Sequence, residues 1–337
     1  MLECTRVALQ GDALHAIIRE SKPFCEEVTG LISTFCLNPS FDKTVEVNAF
    51  RAGGTNRITR SRVDPGGKGV NVARVLQTLG VDVTCVCVLP EKGKEEFLNL
   101  LEPTGLKIES ITTPGSLRTN TKILSLDSAS VTELNESGVP LTSKAQEDLA
   151  AQAENLKNTC EMHVLSGSLP PHASEATYYN MIQAFAPSPV FLDASGQALL
   201  EGIKAKPLFV KPNLAEMEAV SGKPLKTMDE IREAAWRWIE QGVGNVAVSM
   251  GGNGAVLVTP NETVYAPAID VKVASTVGAG DAMVAGMVYG WVHHMSAQDI
   301  LRCGVACAAA SCMTSGTQMV RLEDYEEMFS KAVVQAI

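Results

Sequence analysis

From residue 31 onward this chain repeats one unit, a short apolar run followed by a longer amphipathic stretch. The apolar runs are 31–37, 81–89, 162–165, 190–193, 208–211 and 246–249. The amphipathic stretches are 70–79, 92–101, 143–156, 175–185, 214–220 and 228–241. Short apolar runs without polar alternation read as strands buried on both faces, and the stretches between them as helices. A strand that reaches its neighbour through a helix must pair parallel to it. The expected fold is therefore α/β, with a mainly parallel central sheet covered by helices on both sides. Two segments, 44–63 and 119–132, depart from the unit. They are polar and alternating, with no helix between strands, and predict a small separate sheet. Residues 1–30 precede the first strand as an extension of unassigned role, either with a short helix at 12–19 or as a flexible tail.

Two glycine-rich turns, in opposite halves of the chain, carry the chemistry. The later one is Ser275-Thr276-Val277-Gly278-Ala279-Gly280-Asp281, leading into an apolar helix over 281–292. Gly278 and Gly280 allow a tight turn and close approach of a ligand. The first amides of a helix lack partners and carry partial positive charge, so such a turn suits an anion, phosphate above all. Asp281 at that place either caps the helix or takes part in chemistry. The earlier turn, Asp64-Pro65-Gly66-Gly67-Lys68-Gly69-Val70-Asn71, opens a helix with apolar residues at Val72, Val75, Leu76 and Leu79. Lys68 and Asn71 stand at its start, where an ammonium and an amide can reach a phosphorylated or polyhydroxyl ligand.

Together the strings Gly-Gly-Lys-Gly-x-Asn-Val-Ala, Leu-x-x-Leu-Gly and Thr-x-Gly-Ala-Gly-Asp resemble the two signatures of the PfkB branch of the ribokinase-like sugar kinases. The resemblance spans about residues 31–330 and implies a three-layer α/β/α domain over 31–337. In it the small sheet of 44–63 and 119–132 would lie over the sugar site as a lid and support a homodimer. It further implies that Asp281 is the catalytic base, and that Gly278, Ala279 and Gly280 help form an anion hole for the moving phosphoryl group. Asp42 would bind sugar hydroxyls, with Gly67, Lys68 and Asn71 beside it. On the strand Arg118-Thr119-Asn120-Thr121-Lys122, Arg118 and Asn120 would face the substrate, Arg118 pairing with a phosphate. Ser166, in Ser166-Gly167-Ser168-Leu169-Pro170, would help hold the substrate's existing phosphate.

The same resemblance places the nucleotide. Lys211 and Asn213, in Lys211-Pro212-Asn213-Leu214-Ala215-Glu216, match the Asn-x-x-Glu string that organises water around Mg²⁺, with Glu216 in the outer shell. An N-cap at Asn213 with Glu216 three residues on is the purely structural use of the same residues. Ser249, Gly251 and Gly254 match a turn beneath the phosphates of ATP, and adenine would lie near 265–275 and 303–312. The implied reaction is ATP-dependent phosphorylation of a phosphorylated ketohexose, fructose 1-phosphate first, with tagatose 6-phosphate or fructose 6-phosphate as alternatives. A non-catalytic sugar-phosphate sensor is the alternative of another class.

Composition narrows the rest. A formal charge of −10 argues against a broad nucleic-acid-binding face. The chain has no Gly-x-x-x-x-Gly-Lys-[Ser/Thr] string, which disfavours a Walker-type NTPase. No run approaches the roughly 18 apolar residues of a membrane span, and the N-terminus lacks a signal-peptide layout. Nine cysteines without a Cys-x-x-Cys pair read as buried thiols in a reducing cytoplasm.

Overall fold

The computed structural model describes residues 31–128, 130–314 and 320–337. The extension at 1–30, expected with a helix at 12–19 or as a tail, lies outside the described residues. The strands are β1 (Leu31–Cys36), β2 (Ser40–Val47), β3 (Ile58–Gly66), β4 (Val83–Lys92), β5 (Lys107–Ser116), β6 (Arg118–Ser125), β7 (Ser130–Asn135), β8 (Cys160–Ser166), β9 (Val190–Asp193), β10 (Phe209–Val210), β11 (Asn245–Ser249), β12 (Ala255–Val258), β13 (Thr263–Ala266) and β14 (Gln335–Ala336). The helices are α1 (Lys68–Thr78), α2 (Lys94–Leu101), α3 (Ser143–Lys157), α4 (Thr177–Phe185), α5 (Gly196–Ile203), α6 (Leu214–Ser221), α7 (Met228–Glu240), α8 (Ala279–Val292), α9 (Ala297–Cys312) and α10 (Leu322–Lys331).

Among the described residues ten strands form the main sheet, in the order β14-β13-β12-β11-β10-β9-β8-β1-β4-β5. From β5 to β11 every pairing is parallel, and β12 to β14 continue antiparallel. β4 shows why: its first eight residues are all buried, as a strand covered on both faces requires. Alternate residues of each strand feed opposite layers. Ile32 and Cys36 of β1 join the cluster under α1, α2, α8, α9 and α10, while Phe35 joins the one under α3 to α7. Helices cover both faces, giving three layers.

The expected small sheet is present, in the order β3-β2-β6-β7, with β2 and β6 parallel. It is larger than 44–63 and 119–132. β2 begins at Ser40, only residues 37–39 beyond β1, so Asp42 lies in the small sheet itself. Several elements exceed the sequence expectation for physical reasons. β5 is an edge strand with half of its residues exposed. α9 is buried nearly all round by small residues such as Gly304, Ala306 and Ala310, so it shows no clean amphipathic stripe.

The strand order sets the position of the site. From β1 the chain adds β4 and β5 on one side, then β8, β9, β10 and β11 on the other. The crossover direction reverses between β1 and β8, and in an open parallel sheet ligands bind at the carboxyl ends of the strands beside such a reversal.

Candidate active site

The carboxyl ends of these strands deliver one polar residue each. Asn38 follows β1, Ser166 ends β8, Asp193 ends β9, Lys211 follows β10 and Ser249 ends β11. All but Asp193 line a cleft of about 830 Å³, and Asp193 lies buried against three of its walls. The start of α1 contributes Gly67, Lys68 and Asn71, and the start of α8 contributes Gly278, Gly280 and Asp281. The small sheet adds Asp42, Arg118, Asn120 and Lys122. Glu216 and Asn213 at the head of α6, with Gly251, complete the expected residues that meet here. Ala279 and Gly254 face instead a second, adjoining cavity of about 320 Å³.

Asp281 is a buried acid of the cleft. Gly278, at φ +82°, caps α8 in the left-handed conformation that favours glycine, and provides no side chain to bond the first amides. Asp281, 7% exposed, accepts a hydrogen bond at Oδ2 from Asn71 Nδ2 at 2.8 Å, joining the two glycine turns. Burial pushes its carboxyl up to about 6. Lys68 opposes that rise and Asp193 adds to it.

Asp193 is the residue that sequence reading missed. Its Oδ2 accepts from Lys68 Nζ at 3.2 Å and from Ser166 Oγ at 3.1 Å, and its Oδ1 stands 3.3 Å from Lys211 Nζ. Burial works against its charge, but Lys211 and Lys68 outweigh burial and hold the carboxyl below its usual range. In return Asp193 holds the Lys68 ammonium above the ordinary lysine range. The signal in the sequence was its place at the end of the apolar run 190–193, between the run that Ser166 follows and the run that ends in Lys211. Ser166 spends its hydroxyl on Asp193.

On the small sheet, Asp42 Oδ1 accepts from Ser40 Oγ at 3.0 Å and Asn120 Nδ2 at 3.2 Å, and Oδ2 from Lys122 Nζ at 2.9 Å. Lys122 shares the face of Asn120, and its buried ion pair fixes Asp42. Arg118 donates from Nε to Pro39 O, from Nη1 to Glu136 O and from Nη2 to Asn38 O, at 3.2, 3.0 and 2.7 Å. It therefore ties the β1–β2 turn to the end of β7.

At the head of α6, Asn213 and Glu216 form a reciprocal capping box: Glu216 N donates to Asn213 Oδ1 at 2.8 Å and Asn213 N to Glu216 Oε2 at 2.9 Å. Both also line the cleft, so the cap holds them at its edge. Beyond Ser249, Gly254 at φ +83° closes the turn against β13, where a side-chain carbon would stand 2.0 Å from Ala266 O. The adjoining cavity is walled by Ile269, Val271, Val273, Val305, Ala308 and Cys312, from the two stretches expected near adenine. Ser249, Gly251, Thr276 and Gly280 line both spaces, so the apolar cavity opens on the polar cleft. Among the described residues no three His, Cys, Asp or Glu side chains converge as a metal cage.

A sequence profile described as pfkB family carbohydrate kinase matches residues 37–324. The chain belongs to this family. This pfkB kinase is 33% identical over 303 residues to 1-phosphofructokinase of Vibrio cholerae serotype O1, covering 89% of the chain and 94% of that protein. It is 40% identical over 261 residues to 1-phosphofructokinase of Rhodobacter capsulatus, covering 77% and 83%. Phosphofructokinase-2 from Escherichia coli, solved in complex with substrates and products, matches the pfkB kinase with a TM-score of 0.84 at 28% identity, over 89% of this chain and 98% of that one. The layered architecture is thus the ribokinase-like fold expected from the two signatures.

Proposed function

We propose that this kinase transfers the γ-phosphoryl group of ATP to fructose 1-phosphate, giving fructose 1,6-bisphosphate and ADP. The observation that carries the proposal is Asp281: a buried carboxyl, pushed up to about 6, at a helix start and next to Gly280, which lines both the polar cleft and the apolar cavity. At neutral pH it is mostly ionised, and it accepts the proton of the attacking sugar hydroxyl as the new P–O bond forms. The first-turn amides of α8 hold the anionic oxygens of the moving group. Lys68 and Lys211, kept in place by Asp193, offset the charge of the phosphates. Asp42, braced by Lys122, and Asn120 receive sugar hydroxyls. Arg118 has five N–H donors and spends three on carbonyls, leaving two for the substrate's own phosphate.

The apolar cavity fits adenine, and the turn at 249–254 underlies the nucleotide phosphates. Mg²⁺ keeps several waters and takes one or two carboxylates with phosphates, which fits an edge carboxylate such as Glu216 better than a cage. When bound it would neutralise phosphate charge there. We place the kinase domain at 31–337 and assign the small sheet as a lid that closes over the sugar. The exposed Ile58 on β3, with Val131 and Leu134 on β7, supports a homodimer through that lid. The buried free thiols support a cytoplasmic setting.

The test is ADP release with fructose 1-phosphate, fructose 6-phosphate, tagatose 6-phosphate and unphosphorylated fructose. The highest kcat/KM is expected with fructose 1-phosphate. Equal rates with fructose would remove the phosphate-recognition role, and binding without ADP release would make the chain a sensor.

A further inference from the structure

Cys36, the last residue of β1, is 2% exposed yet lines the floor of the cleft. The turn that carries Lys68 rests on it. A side-chain carbon at Gly67 would lie 2.5 Å from Cys36 Sγ, and one at Gly69 would lie 3.0 Å from its Cβ. No side chain caps α1. Instead the first-turn amides of Val70 and Gly69 act on the Cys36 thiol and lower its pKa. Such amides favour a negative partner. The Cys87 thiol foremost, and then these amides and Arg118, hold the Cys36 thiol below its usual pKa although burial opposes them.

Cys87 stands directly beside it. In the parallel pairing of β1 and β4, Cys36 and Cys87 are Cα partners, and both side chains enter the same apolar cluster. Neighbouring strands lie about 4.8 Å apart, within the roughly 4.4–6.8 Å between Cα atoms that a disulfide spans. Cys87 Sγ is also 3.5 Å from Cys85 Sγ. The neighbouring Cys36 and Cys85 thiols, and burial, hold the Cys87 thiol above its usual pKa. The kinase chemistry described above uses none of these sulfurs.

We propose that Cys36 and Cys87 are a peroxide-sensing dithiol built into the cleft floor, closing to a disulfide that switches the kinase off. The Cys36 thiolate attacks one oxygen of hydrogen peroxide and the O–O bond breaks. Sulfur is oxidised to the sulfenic acid, and the peroxide leaves, reduced, as hydroxide. The Cys87 sulfur then attacks the Cys36 sulfur. The S–S bond forms, the S–O bond breaks, and the hydroxyl departs with the Cys87 proton as water. Drawing the sulfurs to about 2.05 Å pulls Cys36 from beneath Gly67 and Gly69, unseats the turn above it and moves Lys68 away from Asp193. A dithiol reductant reverses the change, so the pair rests reduced in a reducing compartment.

The effect on activity rests on the functional reading above; the disulfide itself does not, so the two can fail separately. The experiment treats the full-length protein with hydrogen peroxide, alkylates the remaining thiols and maps the peptides by mass. A peptide linked through Cys36 and Cys87 is expected to form in step with loss of most ADP release from fructose 1-phosphate and ATP, and dithiothreitol restores both. In Cys87→Ala no linked peptide forms and dimedone labels Cys36 as the sulfenic acid. The wild-type map decides the site without the variant. Cys36 and Cys87 both recovered as alkylated thiols, or oxidation confined to Cys160 or Cys312, overturns the proposal. A linked peptide with undiminished ADP release overturns the switch.

Discussion

Changing Asp281 to asparagine alters one atom and is expected to move activity and stability in opposite directions. The carboxyl is 7% exposed and its folded pKa is pushed up to about 6, against about 3.9 for an unfolded aspartate. A folded value above the unfolded one means that the group's stabilising share is complete below pH ~4 and is lost as the pH rises through ~6. At pH 8 the ionised carboxylate costs the folded state roughly 2–3 kcal/mol, at about 1.4 kcal/mol per pH unit. Asparagine keeps the size and still accepts from Asn71, but never ionises. Asp281→Asn should therefore be more stable than wild type at pH 8 by roughly 2–3 kcal/mol, with the difference vanishing near pH 4. The same change removes the proton acceptor and should lower kcat by about 10² or more, with sugar-phosphate binding nearly intact. Urea unfolding at pH 5 and 8 reads the first effect, and single-turnover ADP formation reads the second. Activity within a few-fold of wild type, or a variant no more stable at pH 8, would refute the assignment.

Other parts of the structure make equally direct predictions. Arg118→Ala removes three carbonyl bonds and the donors left for the sugar's phosphate, so KM for the sugar phosphate should rise roughly tenfold while KM for ATP holds; steady-state kinetics with each substrate varied separate the two. Gly254→Ala forces a methyl against Ala266 O at a positive φ, and should raise KM for ATP and cost about 1–3 kcal/mol, read by nucleotide titration and thermal unfolding. His163 is fully buried, with Nδ1 2.6 Å from Ser33 Oγ, and burial pushes its pKa down to about 4. Its folded pKa is depressed, so roughly 3 kcal/mol of stability present above pH ~6.5 is lost as the pH falls toward ~4; His163→Gln should flatten that decline in urea midpoints. Hydrogen exchange in the lid strands should slow when fructose 1-phosphate binds.

The sequence made legible what the backbone and local pattern require. The turns at Gly66–Gly69 and Gly278–Gly280 stand out because only glycine allows such approaches, and α7 because the amphipathic stretch 228–241 carries a regular apolar face. The small sheet was legible from its polar alternation, although not its start at Ser40, because Asp42 reads as a turn residue after Pro39. Asp193 was not legible. Its partners Lys68 and Lys211 lie on other elements, and the pairing exists only once β8, β9 and β10 are side by side. The commitment of Arg118 to three carbonyls was hidden for the same reason: backbone acceptors leave no mark in a side-chain pattern.

The short link from β1 to β2 divides the molecule's two recognition tasks. The residues proposed to receive the sugar, Asp42 and Asn120, ride on β2 and β6, whereas Asp281, Lys211 and the apolar cavity belong to the main sheet and its helices. Donor and acceptor selectivity are thus separately evolvable. Libraries confined to β2, β3, β6 and β7 could retarget this scaffold to other polyols while leaving nucleotide use and the position of the base as they stand.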